Sequence, residues 1–343
     1  MWVFSVIKRG FLTAVMGGAV LGASAVAVPA AVDPGTPDVV VDKGLAALIK
    51  LQAADGTFDD STATTALAGI ALLAGGSTPT RGRYHVEAAR ILHAILAAQD
   101  RNTGYITDQI GRMYTHGFAT LYLAETYGMA PDQSVRKALG AAVDLIEYAQ
   151  NQEGGWRYDP YPNQADVSVT VCEAMALRAA YNAGFGGREI ADALSRAEAY
   201  VRRRANGNGT FSYQTGTEGG DGAEAVPRAA AGAMCLISAG TTDVADRNLG
   251  PALLFLRQNV AAHLHSASGY YWYGEYYAAQ ALYHSPDPSD WDTYWQQAVP
   301  VIVGLQSDTG QWPAMEGPGP AYGTAMALII LQIPNDYLPI FER

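Results

Sequence analysis

The feature that most constrains this chain is a turn signature that returns six times. It reads LQAADGTF at 51–58, AQDRNTGY at 98–105, QNQEGGW at 150–156, ANGNGTF at 205–211, SASGY at 266–270 and LQSDTGQWP at 305–313. The glycines at its centre are Gly56, Gly104, Gly155, Gly209, Gly269 and Gly310. They recur roughly every fifty residues, the spacing that stacked supersecondary units produce. Length alone would divide 343 residues among two or three domains. The repeats point instead to one domain over 32–343.

Each turn has a readable physical role. A helix-like stretch precedes it, ending in Gln in four of the six repeats: Gln52, Gln99, Gln150 and Gln306. Glycine then permits the positive φ that stops that helix. The aromatic residue that follows can pack between repeats. The Gln amide can satisfy orphan carbonyls or bridge to the next repeat. This motif is therefore expected to be a staple rather than a catalytic site.

The helices after the turns are predicted at roughly 61–74, 114–127, 167–183, 226–239, 274–284 and 321–332. They are crowded with Ala and Gly, as in RAAAGAMCLISAG, which implies burial on most faces. The helices before the turns are more amphipathic. The expected fold is all-α: an inner ring of Ala-rich helices inside an outer amphipathic ring, an (α/α)6 toroid.

Charge and cysteine content exclude several classes. Charged residues are 16% of the chain and the net charge is −11, the wrong balance for a nucleic-acid or anionic membrane surface. Two cysteines, Cys172 and Cys235, make no disulfide framework and read as buried thiols on neighbouring helices. Neither C-x-x-C nor H-E-x-x-H occurs, so no metal site and no cofactor are expected. Lys8 and Arg9 precede an apolar, small-residue run from Phe11 to Val28, with an A-x-A-like Ala25-Val26-Ala27. Residues 1–31 therefore read as a signal peptide or N-terminal anchor, and the chain as exported.

The turns QNQEGGW and LQSDTGQW resemble the QW motifs of squalene and other triterpene cyclases, and the helix-pair unit is similar to that of protein prenyltransferase β-subunits. The resemblance covers about 40–343. The stretches 270–283 (YYWYGEYYAAQALY) and 321–343 are similar to bacterial exported proteins described as prenyltransferase or squalene-oxidase repeat proteins. This implies the toroid more strongly than any reaction. Set against the cyclase Asp-x-Asp-Asp motif, Asp59 falls on the position of the protonating acid, but Thr57 stands where the first Asp would be, and a helix cap is the competing reading. Prenyltransferase zinc ligands do not carry over. Cys172 lies six residues after Asp166 rather than two, and Pro320-Ala321-Tyr322-Gly323 offers no third ligand. No Cys-Gly-Glu-Gln segment is present.

Aligning the inner helices by the Gly or Pro that ends each one brings Ala63, His116, Cys172, Arg228, Gly274 and Tyr322 to one level. Asp59, Asp60, Tyr114, Asp166, Ser168, Glu224, Glu275 and Tyr276 lie near it. The helix N-termini should thus converge on one cavity mouth. His116 could shuttle protons, Arg228 could clamp an anion, and Asp166 and Glu275 are general acid or base candidates. Caps at Asp166, Ser168 and Glu224, or an Arg228–Glu275 ion pair, are the structural alternatives. His263 and His265, two residues apart, cannot share a helix face and read as structural. Tyr271, Tyr273, Tyr276 and Tyr322, with Tyr114, Cys172 and Glu224, are the expected ligand-cavity residues. The aromatic run could line a cavity by cation–π attraction or stack on sugars.

Three functions follow. A binder or converter of an apolar, isoprenoid-like small molecule needs an aromatic cavity with few charges deep inside. A cell-envelope protein scaffold needs a plugged cavity. A carbohydrate-active enzyme needs two facing carboxylates, such as Asp166 or Glu224 with Glu275. The oligomeric state is not encoded in any of these features.

Overall fold

The computed structural model describes residues 36–108, 111–216, 224–266 and 270–342. The signal or anchor expected at 1–31 lies outside the described residues. Twelve α-helices form among them: α1 (Thr36–Ile49), α2 (Thr62–Ala74), α3 (His85–Ala97), α4 (Arg112–Met129), α5 (Gln133–Ala149), α6 (Val167–Asn182), α7 (Arg188–Arg202), α8 (Ala225–Ser238), α9 (Leu249–Leu264), α10 (Tyr271–Tyr283), α11 (Pro288–Gly304) and α12 (Pro320–Gln332). No described helix is long and apolar enough to cross a membrane.

Burial separates the helices into two rings. In α7 the buried residues are Ile190, Ala193, Leu194, Ala197, Tyr200 and Val201, a stripe at helical spacing with a charged face opposite. In α12 every residue from Ala321 to Gln332 is buried. The even-numbered helices are neighbours in the order α2, α4, α6, α8, α10, α12, and α12 returns to α2. The odd-numbered helices pack outside them. Small residues make the close approaches possible: a Cβ on Gly69 would stand 2.4 Å from the Tyr122 ring, and one on Gly232 2.4 Å from Phe211.

The turns join each repeat to the next. The Gln52 amide donates to Gly56 O in its own turn and to Glu87 O at the start of α3. Gln99 does the same with Gly104 O and Ala138 O, and Gln150 with Gly154 O and Ala193 O. Gln306 completes the circle through Gly310 O and Val40 O. The fourth turn has Ala205 in this place and lacks the bond. The tryptophans of the third and sixth turns donate Nε1–H to outer-helix carbonyls, Trp156 to Ile146 and Trp312 to Ile302.

Two details of the turns differ from expectation. In the third turn Gly154, not Gly155, takes the positive φ, +93°, because its missing Cβ lets the Arg196 carbonyl approach; a Cβ there would lie 2.2 Å from that oxygen. In the second turn the buried hydrophobe is Ile106, with Tyr105 half-buried beside it. Gly269 lies outside the described residues.

The far end of the ring is covered. After α12 the chain makes two short 3-10 turns, Ile333–Asn335 and Pro339–Phe341, and buries Leu338, Ile340 and Phe341. His284 Nε2 and Asn182 Nδ2 hydrogen-bond to carbonyls of this tail.

Candidate functional site

A cavity opens at the N-terminal ends of the inner helices. Its volume is about 100 Å³. Its lining is layered. Residues in the first turn of each inner helix supply polar groups: Thr64, Tyr114, Thr115, Ser168, Arg228, Tyr273 and Tyr322. Residues one turn deeper, about 5 Å further in, are Leu67, Phe118, Ala231 and Met326. Tyr213, Tyr270 and Glu224 line the mouth as well.

The helix N-termini at this mouth are not vacant dipole ends. Each is capped by the turn of the following repeat wherever that turn is described. Asp108 Oδ2 accepts from Thr62 N–H of α2, and the Tyr158 and Tyr213 carbonyls accept from Met113 of α4 and Val167 of α6. Glu316 Oε1 accepts from Tyr273 N–H of α10 at 2.9 Å. Asp59 Oδ2 accepts from Tyr322 N–H of α12 at 3.1 Å, which closes the ring. Asp59 is therefore a cap, but for the last inner helix; Ser61 caps its own helix, α2. Burial raises the Asp59 carboxyl above its ordinary range, opposed by these backbone N–H groups. It does not line the cavity.

Asp166 organises one side of the mouth from just behind the wall. It is fully buried. Oδ1 accepts from Ser168 Oγ at 2.7 Å and Val169 N–H at 2.9 Å; Oδ2 accepts from Arg157 Nη1 at 2.8 Å and Tyr213 OH at 3.2 Å. Tyr114 OH meets Ser168 Oγ at 2.6 Å, and Tyr158 OH meets Tyr213 OH at 2.6 Å. Burial pushes Asp166 upward, and the four donors pull it back. With both oxygens engaged, this carboxylate positions the cavity phenols and does not stand ready for proton transfer at the cavity surface.

Three other expected site residues are elsewhere. His116 is fully buried behind the wall. Its Nδ1 accepts from Ile106 N–H at 3.1 Å and its Nε2 donates to Ala142 O at 3.0 Å. It occupies the place of Thr65, Thr170 and Thr324, whose hydroxyls accept from Phe58, Trp156 and Trp312 N–H. Burial lowers its pKa to about 4, so it is a neutral staple and not a shuttle. Glu275 faces outward between the rings: Oε1 meets His263 Nδ1 at 2.7 Å and Oε2 accepts from Tyr294 OH at 2.9 Å. It neither lines the cavity nor pairs with Arg228, whose partner is Glu224 at 2.6 Å. Cys172, whose Sγ lies 3.4 Å from Tyr277 OH, is buried in the wall.

The aromatic run divides in the same way. Tyr273 lines the cavity. Tyr271 stacks on His263 outside the wall. Tyr276 packs edge-on to Phe118 in the interior. Much of the lining was not singled out from the sequence, Thr64, Thr115, Phe118, Tyr213 and Met326 among it, and neither was Glu316, which caps the helix that carries Tyr273. Tyr213 had a signal, since Phe211-Ser212-Tyr213 repeats the aromatic-x-Tyr spacing of Trp156-Arg157-Tyr158. Glu316 had none; it is a loop residue whose burial pushes its carboxyl up to about 7. Among the described residues no group of three or more His, Cys, Asp and Glu is placed to hold a metal ion.

This double ring is found in solved structures. A type II terpene cyclase, MstE from Scytonema, in complex with geranylgeranyl dihydroxybenzoate, superposes with a TM-score of 0.60 at 14% identity, over 87% of this chain and 97% of that one. An α-1,6-mannanase from Salegentibacter, in complex with α-1,6-mannotriose, superposes with a TM-score of 0.66 at 12% identity, over 89% and 100%. The chain is an α/α toroid. A glycosidase in complex with glucose gives a TM-score of 0.58 at 12% identity, over 90% and 100%. No protein-family model matches the sequence, and no curated protein is similar to it. At these identities the toroid is shared as a fold, by proteins whose ligands are as unlike as a prenylated aromatic and a sugar.

Proposed function

We propose that this toroid binds an apolar, isoprenoid-like small molecule in the cavity at the inner-helix N-termini. The observation that carries this reading is the cavity floor: Leu67, Phe118, Ala231 and Met326 form an uncharged surface below aromatic walls. Burial of hydrocarbon against such a floor stabilises binding by about 25 cal/mol per Å² of apolar area removed from water. The carbohydrate reading is less well supported. It needs paired carboxylates across a groove, whereas Glu275 faces away and Asp166 has both oxygens engaged.

The test passes a lipid extract over the purified protein and reads retained species by mass spectrometry. Enrichment of isoprenoids is expected, and its loss in Ala231→Phe, which fills the floor. A lipid extract from which no isoprenoid is enriched would overturn the reading. Export from the cytoplasm belongs to the same proposal, resting on the Lys8-Arg9 and Phe11–Val28 pattern. Cell fractionation with and without residues 1–31 tests it.

A further inference from the structure

The layering of the cavity says more about the ligand than its apolar floor does. Six first-turn residues on five of the six inner helices carry hydroxyls: Thr64, Tyr114, Thr115, Ser168, Tyr273 and Tyr322. All four lining residues one turn deeper carry none. Polarity therefore changes within about 5 Å along the cavity axis. Three of the six hydroxyls, those of Thr64, Thr115 and Tyr273, are buried without a hydrogen-bond partner. Unsatisfied buried hydroxyls are costly and uncommon in folded proteins. The three oxygens have almost no surface open to the cavity, so a bound molecule brings the missing partner as these side chains turn toward it.

The charges at the mouth describe that partner. Arg228 is the one basic side chain among the described lining residues, and Glu224 meets it at 2.6 Å. Arg157, behind the wall, is committed to Asp166. Binding of a diphosphate needs several positive groups aimed at it. This mouth presents one cation already opposed by a carboxylate.

We infer that the ligand is a hydrocarbon-chained molecule with an uncharged oxygen-bearing head (an alcohol, phenol or carbonyl), bound chain inward and head at the hydroxyl belt. This rests on the apolar-ligand reading above and adds the chemistry and direction of the head.

Three probes share one chain: farnesol, farnesene and farnesyl diphosphate. Their affinities for the full chain are measured by titration calorimetry, at fixed ionic strength. Farnesol is expected to bind about tenfold tighter than farnesene, the scale of one net hydrogen bond in a dry site, and tighter than the diphosphate. In the shape-conserving double variant Thr64→Val, Thr115→Val the advantage over farnesene should fall to about twofold or less, with farnesene affinity unchanged. Equal binding of farnesol and farnesene, or tighter binding of the diphosphate, overturns the inference and leaves the apolar-ligand reading standing. Failure of all three to bind overturns both. Tyr322→Phe serves as a second variant if the double variant does not fold, with the same expected loss of preference.

Discussion

The side-chain amide of Gln306 donates to the carbonyl of Val40 at 2.9 Å, joining residues 266 positions apart. The same amide also holds Gly310 O, so one side chain fixes the last turn and binds it to the first helix. Its equivalents at Gln52, Gln99 and Gln150 join consecutive repeats. Of these four glutamines, Gln306 is the one that joins the last repeat to the first.

Gln306→Ala should therefore cost about 1–3 kcal/mol, from two lost hydrogen bonds that hold the last turn and join it to the first helix. Urea unfolding measures it against Gln150→Ala as control. Because Gln306 closes the ring, it should also raise hydrogen exchange in α1, which Gln150→Ala should not. Protection of α1 that stays at the wild-type level would count against closure by this residue.

Gly154→Ala should destabilise the chain by roughly 2 kcal/mol or more, through a positive φ unsuited to alanine and a clash with the Arg196 carbonyl. Gly207→Ala, in another turn but with open space around it, should stay within about 0.5 kcal/mol. Thermal or urea midpoints of both variants decide it; equal costs would contradict the close approach.

His116 supplies a test in acid. Its folded pKa, about 4, lies below its ordinary 6.5 because of burial. The unfolded chain therefore takes the proton first as pH falls. Stability from this group is present above about 6.5 and is lost as pH drops toward 4. His116→Thr copies Thr65, Thr170 and Thr324 and removes the ionisation. It should lose about 1–2 kcal/mol at pH 7 from the smaller side chain and the lost hydrogen bond to Ala142 O. It should then show a shallower stability loss between pH 6.5 and 4. A pH slope equal to the wild type's would refute the neutral-staple role.

Glu125 reports on the opposite end of the ring. It is almost wholly buried, accepts from Ile340 N–H of the C-terminal tail at 3.4 Å, and is held up to about 8, first by burial and then by Glu342. Its folded pKa lies above the ordinary 4.5, so its stabilising contribution is full below about 4.5 and is lost as pH rises to about 8. Glu125→Gln keeps a polar group of the same shape without the ionisation. It should gain on the wild type by on the order of 4 kcal/mol between pH 5 and pH 8.5, read from urea midpoints. A constant difference across that range would show that Glu125 does not titrate there.

The ring architecture was legible because its signals are local. A glycine with positive φ, a Gln one helix-turn before it and an aromatic after it describe the same staple wherever they occur, and their recurrence gave the six units. The ring-closing role of Asp59 was not legible. Its sequence neighbourhood reads as a cap for the helix that follows, and only closure brings Tyr322 of the last helix into its reach. Glu316 was hidden for the same reason, as a loop residue with no periodic pattern.

By itself the sequence determined the repeat, the division into amphipathic outer and Ala-rich inner helices, and the end of the toroid where the inner helices begin. Tertiary structure alone decided which side chains at that end face the axis. Tyr114, Arg228, Tyr273 and Tyr322 line the cavity, while His116 and Glu275, at nearly the same level, face outward to the other ring. An amphipathic helix announces its rotation through the contrast between its wet and dry faces. The inner helices are buried on almost every face, so their sequence carries little such contrast, and packing against neighbours set how each one turns.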